Sequence, residues 1–384
     1  PGSAGAGQRP LLFSRDECAN DVSADDLAQE NSRFVEIESC AGPVRIHYED
    51  FPPEGFPPPP AQAASASGGE CEGVHSSGEP AVVILHGFYG NVFVWEALAS
   101  CLAARTGRRV VAYDRLGFGL SSRPVAGAKK KKNTRRARDQ SQAVYEMDEQ
   151  AKQAVNLFAT LGLGNVTLVA HDDAAMLALL IAEKASLSSR GGSGLVVSGL
   201  CLLHPNLGTD VGSKLLEHLL VSAIKDKARQ GLVRMEVEVA VRRQCYRPSS
   251  LSAEHMRWHK LPLYIKGWEK ALKSITEATA ANGNYNWGKC LERLRDRSSR
   301  SHSNGGKKGR DTFLPVMVAM GDHDPMVRLD SVILDSVEQF RSRLGPDLVF
   351  VVFDECGHMS HAECPKELLA ALVGFITDSS TDTE

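Results

Sequence analysis

The sequence predicts an α/β fold: a mostly parallel sheet, doubly wound by helices. Two observations carry this. Short apolar runs without polar alternation recur at 81–85, 110–113, 166–170, 199–203, 315–320 and 348–353, the pattern of strands buried on both faces. Helical periodicity separates most of them, at 95–105, 144–161, 174–185, 332–344 and 366–377. Strand and helix in alternation argue for parallel strands joined by crossover helices. The composition fits: 384 residues, 42% hydrophobic, 24% charged, formal net charge −3. It excludes wholesale disorder, collagen and a disulfide scaffold, and it gives no global attraction to nucleic acid. No run approaches about 18 apolar residues, so no membrane span is expected.

Taken in order, residues 1–32 are small, polar and weakly periodic and read as a flexible tail. Residues 34–39 and 44–48 alternate around Ala41-Gly42 and predict an antiparallel hairpin at the sheet edge. Residues 51–80, with four consecutive prolines from Pro57 to Pro60, cannot bury enough apolar surface to offset their ordering entropy. They read as a mobile loop, as do 126–142. Lys129 to Arg138 holds seven basic residues in ten, but no aromatic residues interleave for base stacking. It reads as a solvated loop and not as a nucleic-acid patch. The core is therefore assigned to 33–208 and 312–384. Residues 209–311 interrupt the rhythm with further helical patterns (213–220, 268–278) and a basic end, and predict a helical lid over the carboxyl edge of the sheet, where open α/β sheets bind ligands. Nine scattered cysteines without a C-x-x-C pair predict reduced thiols and an intracellular, reducing compartment, cytoplasmic or organellar. The chain opens at Pro1, read as a truncated or processed end.

The residues that carry chemistry follow the predicted strands. Ala170-His171-Asp172-Asp173-Ala174 has the small-x-nucleophile-x-small spacing of a sharp strand-to-helix turn. Its central residue is Asp172, not Ser. A carboxylate at a helix N-terminus is favoured in its ionised form and can form an ester with an electrophilic carbon; alone, Asp172 fits a helix N-cap equally well. Water must then cleave the ester, which needs a base. His358, after Gly357, is the candidate base, with Asp324 as the acid that orients it. Asp322 is the rival acid, and Asn206 or Asp210 a minority alternative. The backbone N–H groups of Phe88 and Asp173 are expected to form an oxyanion hole. His86 and His171 read as buried structural histidines, and His361 as a solvated loop residue. No Gly-x-Gly-x-x-Gly, P-loop or metal-ligand spacing occurs, so no cofactor or metal is expected.

His86-Gly87-Phe88, the stretch Tyr113-Asp114-Arg115-Leu116-Gly117-Phe118-Gly119 through Pro124, and Gly357-His358 resemble segments of the α/β-hydrolase superfamily. The segments 246–248 and 263–268 resemble the lids of its lipase-like and epoxide-hydrolase-like members. His171-Asp172-Asp173 is similar to an elbow of uncharacterised plant hydrolases and to the His-Asp-Trp elbow of epoxide hydrolases and haloalkane dehalogenases. The resemblance implies an α/β-hydrolase fold and a hydrolase with an Asp172–His358–Asp324 triad, acting on a small apolar electrophile such as an epoxide. Tyr246 and Tyr264 are then the candidate lid acids. Asp173, where an aromatic residue is usual, argues against a halide site. An esterase, lipase-like or C–C hydrolase, or a non-catalytic ligand-binding protein of the same fold, are the alternatives. The adjacent acids motivate the last of these, and point to a neutral or cationic substrate. The sequence leaves the oligomeric state open.

Overall fold

Eight short segments pair into one sheet: β1 (Ser32–Ser39), β2 (Gly42–Phe51), β3 (Pro80–Leu85), β4 (Val110–Tyr113), β5 (Asn165–His171), β6 (Val196–Leu203), β7 (Val316–Gly321) and β8 (Leu348–Phe353). The computed structural model describes residues 22–53, 80–124, 143–188, 194–207, 237–281, 285–301, 314–327 and 348–381, with 338, 341 and 342. Most of the insertion expected at 51–80, all of 126–142, the patterns at 213–220 and most of 332–344, the basic end beyond 301 and Asp210 lie outside the described residues. The strand order is β1-β2-β4-β3-β5-β6-β7-β8. β2 is antiparallel to both β1 and β4, and every later pair is parallel.

Alternation within each strand sends side chains to two cores. Val83, Leu85, Leu168 and Leu202 face α3 (Met147–Thr160) and α4 (Ala174–Ser188), while α1 (Ala24–Leu27) and α2 (Glu96–Thr106) precede them in the chain. Val82, Ile84, Val169 and Met317 face α2 and the last helix, Pro365–Thr381. Each fully buried aliphatic side chain stabilises the fold by about 2 kcal/mol. The last run departs from the expected two-sided burial: Val349 and Val352 of β8 are 43% and 38% exposed, one on each face of a strand that stands at the end of the sheet order. No described helix is long and apolar enough to cross a membrane.

The expected tail of 1–32 does not reach residue 32. Ser23 and Asp26 form a capping box that starts α1, and Leu27 is buried with Phe93, Leu120, Leu261 and Ile265. The Val22 N–H also bonds the Tyr264 carbonyl at 3.0 Å. An apolar anchor and a capped turn order this segment against the insertion between β6 and β7. That insertion carries α5 (Ala253–Lys260), α6 (Trp268–Ala281) and α7 (Trp287–Ser301).

A buried carboxylate ties the loops beyond β4. Asp114 accepts the N–H groups of Val92 (2.8 Å) and Leu120 (2.7 Å) and the His47 Nδ1 proton (2.6 Å). Gly119, at φ +45°, lies so close that a Cβ there would meet Asp114 Oδ2 at 1.8 Å, which explains the glycine. On β2, Glu49 is fully buried and neither carboxyl oxygen has a hydrogen-bond partner. Burial, with Glu96 and Asp114 nearby, pushes its pKa up to about 8.

Glu49 is thus protonated in the native state at pH values where the unfolded chain has ionised. The native state binds the extra proton between about pH 4.5 and 8, so stability falls as pH rises through that window. Urea unfolding at a series of pH values should show this decline, and Glu49→Gln should flatten it.

Candidate active site

The turn between β5 and α4 puts Asp172 at φ +56°, a left-handed conformation that a non-glycine residue adopts only at a cost of order 1 kcal/mol or more. Hydrogen bonds hold it there. The Asp172 N–H bonds the Leu203 carbonyl (3.0 Å), and the Asp172 carbonyl accepts from Ala175 (3.1 Å) and Asn206 (3.2 Å). Gly87 packs against the turn so tightly that a Cβ would stand 2.6 Å from Asp172 Cβ and 2.8 Å from His171 Nδ1.

The two carboxylate oxygens of Asp172 differ. Oδ2 accepts the Phe88 N–H at 3.3 Å, and the Asp173 N–H and the Asn206 side chain lower the pKa of the carboxylate. Oδ1 is buried, accepts no hydrogen bond among the described residues and stands 3.7 Å from His358 Nε2. Burial raises the Asp172 pKa, opposed by His358, and Asp173 raises it further. Of the two expected oxyanion donors, Phe88 bonds the Asp172 carboxylate itself, and Asp173 is the next residue along the chain.

His358 is buried, with Nδ1 2.8 Å from Asp324 Oδ2. Burial alone would lower its pKa, but the charges of Asp324 and Asp172 outweigh that and raise it. Asp324 Oδ1 accepts the N–H groups of Met326 (2.8 Å) and Val327 (2.9 Å). Its pKa lies far below the carboxylate range: burial opposes this, but His358 and His204 overcome it. The rival Asp322 turns elsewhere, bonding the Cys356 N–H at 3.1 Å and His323 Nδ1 at 2.8 Å. Gly357 is needed for space and not for an unusual turn. A Cβ there would meet Tyr246 N at 2.4 Å and Gln244 O at 2.5 Å, and the His358 N–H bonds that Gln244 carbonyl at 2.7 Å.

The remaining histidines sort by hydrogen bonding. His86 donates to the Gly87 carbonyl (2.8 Å) and accepts the Arg115 N–H (3.0 Å); burial pushes its pKa down to about 4, so it is structural. His171 Nε2 bonds the His358 carbonyl at 2.9 Å, steadying the loop that carries His358. His361, expected in solvent, is buried on the turn α8 (Ser360–Glu363) and stacks on Trp95 at 4.4 Å. Ser360 and His361 are the residues of that short turn that face inward.

Neither lid tyrosine joins Asp172. The Tyr246 ring lies 4.3 Å from His323 and is 39% exposed. Tyr264 packs in the cluster of Leu27, Phe93 and Ile265, and its carbonyl accepts the Val22 N–H of the N-terminal segment. Tyr89 lies in the loop whose Phe88 N–H reaches Asp172. It follows Phe88, is held at φ +62°, and its ring meets Phe88 edge-on at 5.0 Å beneath Val241, Trp268 and Met359. Burial raises its pKa, so its phenol keeps its proton.

Two functional neighbours are not evident from sequence reasoning. Arg115 is buried and makes a two-pronged pair with Asp173, at 2.8 and 2.9 Å, so the adjacent acids do not stand as two unmatched charges. His204, fully buried after β6, bonds Asp324 Oδ2 through Nδ1 at 2.7 Å. The available signal for His204 was a polar residue directly after an apolar run, at the edge where His86 and His171 also stand.

The family described as alpha/beta hydrolase fold matches residues 80–365. Similar solved structures include a probable hydrolytic enzyme from Pseudomonas aeruginosa PAO1, at 18% identity and TM-score 0.58, with 93% of this chain and 98% of that one covered. A thermophilic esterase from Thermogutta terrifontis matches at 17% and 0.57, with 90% and 99% covered. The epoxide hydrolase CorEH matches at 16% and 0.55, with 90% and 99% covered. At these identities the likeness is one of fold.

Arg115→Gln should leave the Asp173 charge without its partner and destabilise the protein by about 3 kcal/mol. Adding Asp173→Asn should recover much of the loss. Thermal unfolding of the two single variants and the double variant measures this coupling.

Proposed function

The chain belongs to the alpha/beta hydrolase fold family, and on that footing we propose that it is a hydrolase that opens a small, mostly apolar electrophile, an epoxide above all, through an ester on Asp172. The observation that carries the proposal is the division between the two oxygens of Asp172: among the described residues, Oδ2 accepts a backbone N–H and Oδ1 accepts none. An attacking oxygen needs a free lone pair, and the other oxygen needs donors when charge gathers on it.

In the first step, Oδ1 attacks an epoxide carbon and the ring C–O bond breaks. The released alkoxide takes a proton from Tyr89, the phenol that follows the Phe88 donor. In the second step, water attacks the Asp172 carboxyl carbon and His358 Nε2 takes its proton. The Phe88 and Asp173 N–H groups hold the oxyanion. The ester C–O bond then breaks, the leaving alkoxide takes the proton from His358, and the proton left on the Asp172 carboxyl passes to the Tyr89 phenolate, so that carboxylate and phenol both return. Ester formation removes the Asp172 charge, one of the causes that keep His358 protonated, and so favours the neutral imidazole when a base is needed.

The insertion between β6 and β7 acts in this proposal as the lid. Its residues Val241 and Trp268 pack with Met359 over Phe88 and Tyr89, an apolar roof suited to an apolar substrate. Arg115 matches the Asp173 charge, which favours a neutral substrate over a cationic one. It also weakens the motive for a non-catalytic protein, since the two acids need not blunt each other.

A single turnover in heavy-oxygen water should place the label in Asp172 and leave the first product unlabelled. Turnover without label in that peptide defeats the covalent mechanism. Asp172→Asn should abolish turnover. Tyr89→Phe should lower kcat by about 100-fold with little change in KM, whereas Tyr246→Phe and Tyr264→Phe should leave kcat near the wild-type value.

A further inference from the structure

Asp324 is the acid of the proposed triad, yet one of its oxygens serves two imidazoles. Oδ2 stands 2.8 Å from His358 Nδ1 and 2.7 Å from His204 Nδ1. All three side chains are buried. Their nearest ligand-type atoms lie within 4.8 Å of one another. The 2.7 and 2.8 Å separations are hydrogen-bond distances, shorter than the roughly 3.3 Å between two ligands on one tetrahedral zinc ion.

His204 is held for this purpose. It adopts φ +47° directly after β6, and its N–H bonds the Ala319 carbonyl of β7 at 2.7 Å. Its Nε2 is buried and has no hydrogen-bond partner among the described residues. A proton on Nε2 would be an unsatisfied buried donor, so His204 is the neutral Nδ1–H tautomer. Burial keeps it neutral against the pull of Asp324. It therefore gives Asp324 a hydrogen bond without adding a positive charge.

We propose that His204 is a positioning residue for the base: by donating to the same Asp324 oxygen as His358, it limits how strongly that carboxylate grips the imidazole. With His204 absent, Asp324 Oδ2 would bond His358 alone, and the imidazolium would be held more tightly and give up its proton at higher pH. The other groups around His358 stay in place in both cases. They are Asp172 at the elbow, His171 with ring centres 4.8 Å apart, and His361 and Glu363 on α8. Cys356 also lies near Asp324. The inference rests on His358 being the base of the proposed reaction, but its readout does not need turnover.

The test is an NMR titration of the full chain carrying labelled histidine, with the His358 signal assigned by His358→Gln. In His204→Phe, which fills the site and removes the donor, the His358 pKa should rise by about one unit. In His204→Asn, whose amide nitrogen stands near the Nδ1 position and restores the donor, it should return to within about 0.3 unit of the wild-type value. An unchanged or lowered value in His204→Phe overturns the inference, as does a His204→Asn protein that titrates like the Phe variant. If His204→Phe does not fold, His204→Leu carries the same comparison. The acidic limb of kcat/KM on an epoxide should move with the NMR value. A shift by NMR in a protein that forms no Asp172 ester would uphold the role of His204 and defeat the covalent proposal instead.

Discussion

The left-handed turn at Asp172 is the constraint on which the carboxyl edge depends. A carboxylate at φ +56° is strained, and the strain is tolerated only because neighbours fix it from several sides. Gly87 gives up its side chain to let the β3 loop close on the turn. Leu203 and Asn206, after β6, hold its backbone. The same closeness brings the Phe88 N–H to Oδ2 and leaves Oδ1 bare. The geometry of one turn thus decides which oxygen is solvated by the protein and which is available to react.

Charge is distributed to suit that turn. Asp173 would repel its neighbour in a dry site, but Arg115 reaches it from the loop after β4 and matches it in a two-pronged pair. Asp324 is deeply buried yet strongly ionised, because two imidazoles and two backbone N–H groups converge on its oxygens. Burial makes each of these partners more valuable, since an unpaired charge there has no water to turn to. Elsewhere the fold takes the opposite course. Glu49 has no partner and keeps its proton.

The apolar runs were sufficient to reveal the parallel strands, since a strand covered on both faces omits polar alternation; the run of β8 keeps that pattern although Val349 and Val352 are exposed. The elbow spacing around Asp172 was legible for the same kind of local reason: the turn needs small residues beside it. Choosing between Asp322 and Asp324 was not possible from spacing, because both lie in one short loop. Asp322 caps the Cys356 backbone and Asp324 faces His358. The tyrosines illustrate the same limit. Position in the insertion suggested Tyr246 and Tyr264, but one stacks on a surface histidine and the other packs with the N-terminal segment.

By itself the sequence determined the strand and helix alternation, the nucleophile-type turn and the order of aspartate, acid and histidine, because each is written in neighbouring residues. Tertiary structure alone decided the pairings across the sheet edge: Arg115 with Asp173, and His204 with Asp324. Those partners are brought in by different strands, and their meeting depends on strand order and on the close approach of loops. Local pattern cannot encode a distance between residues that are far apart in the chain.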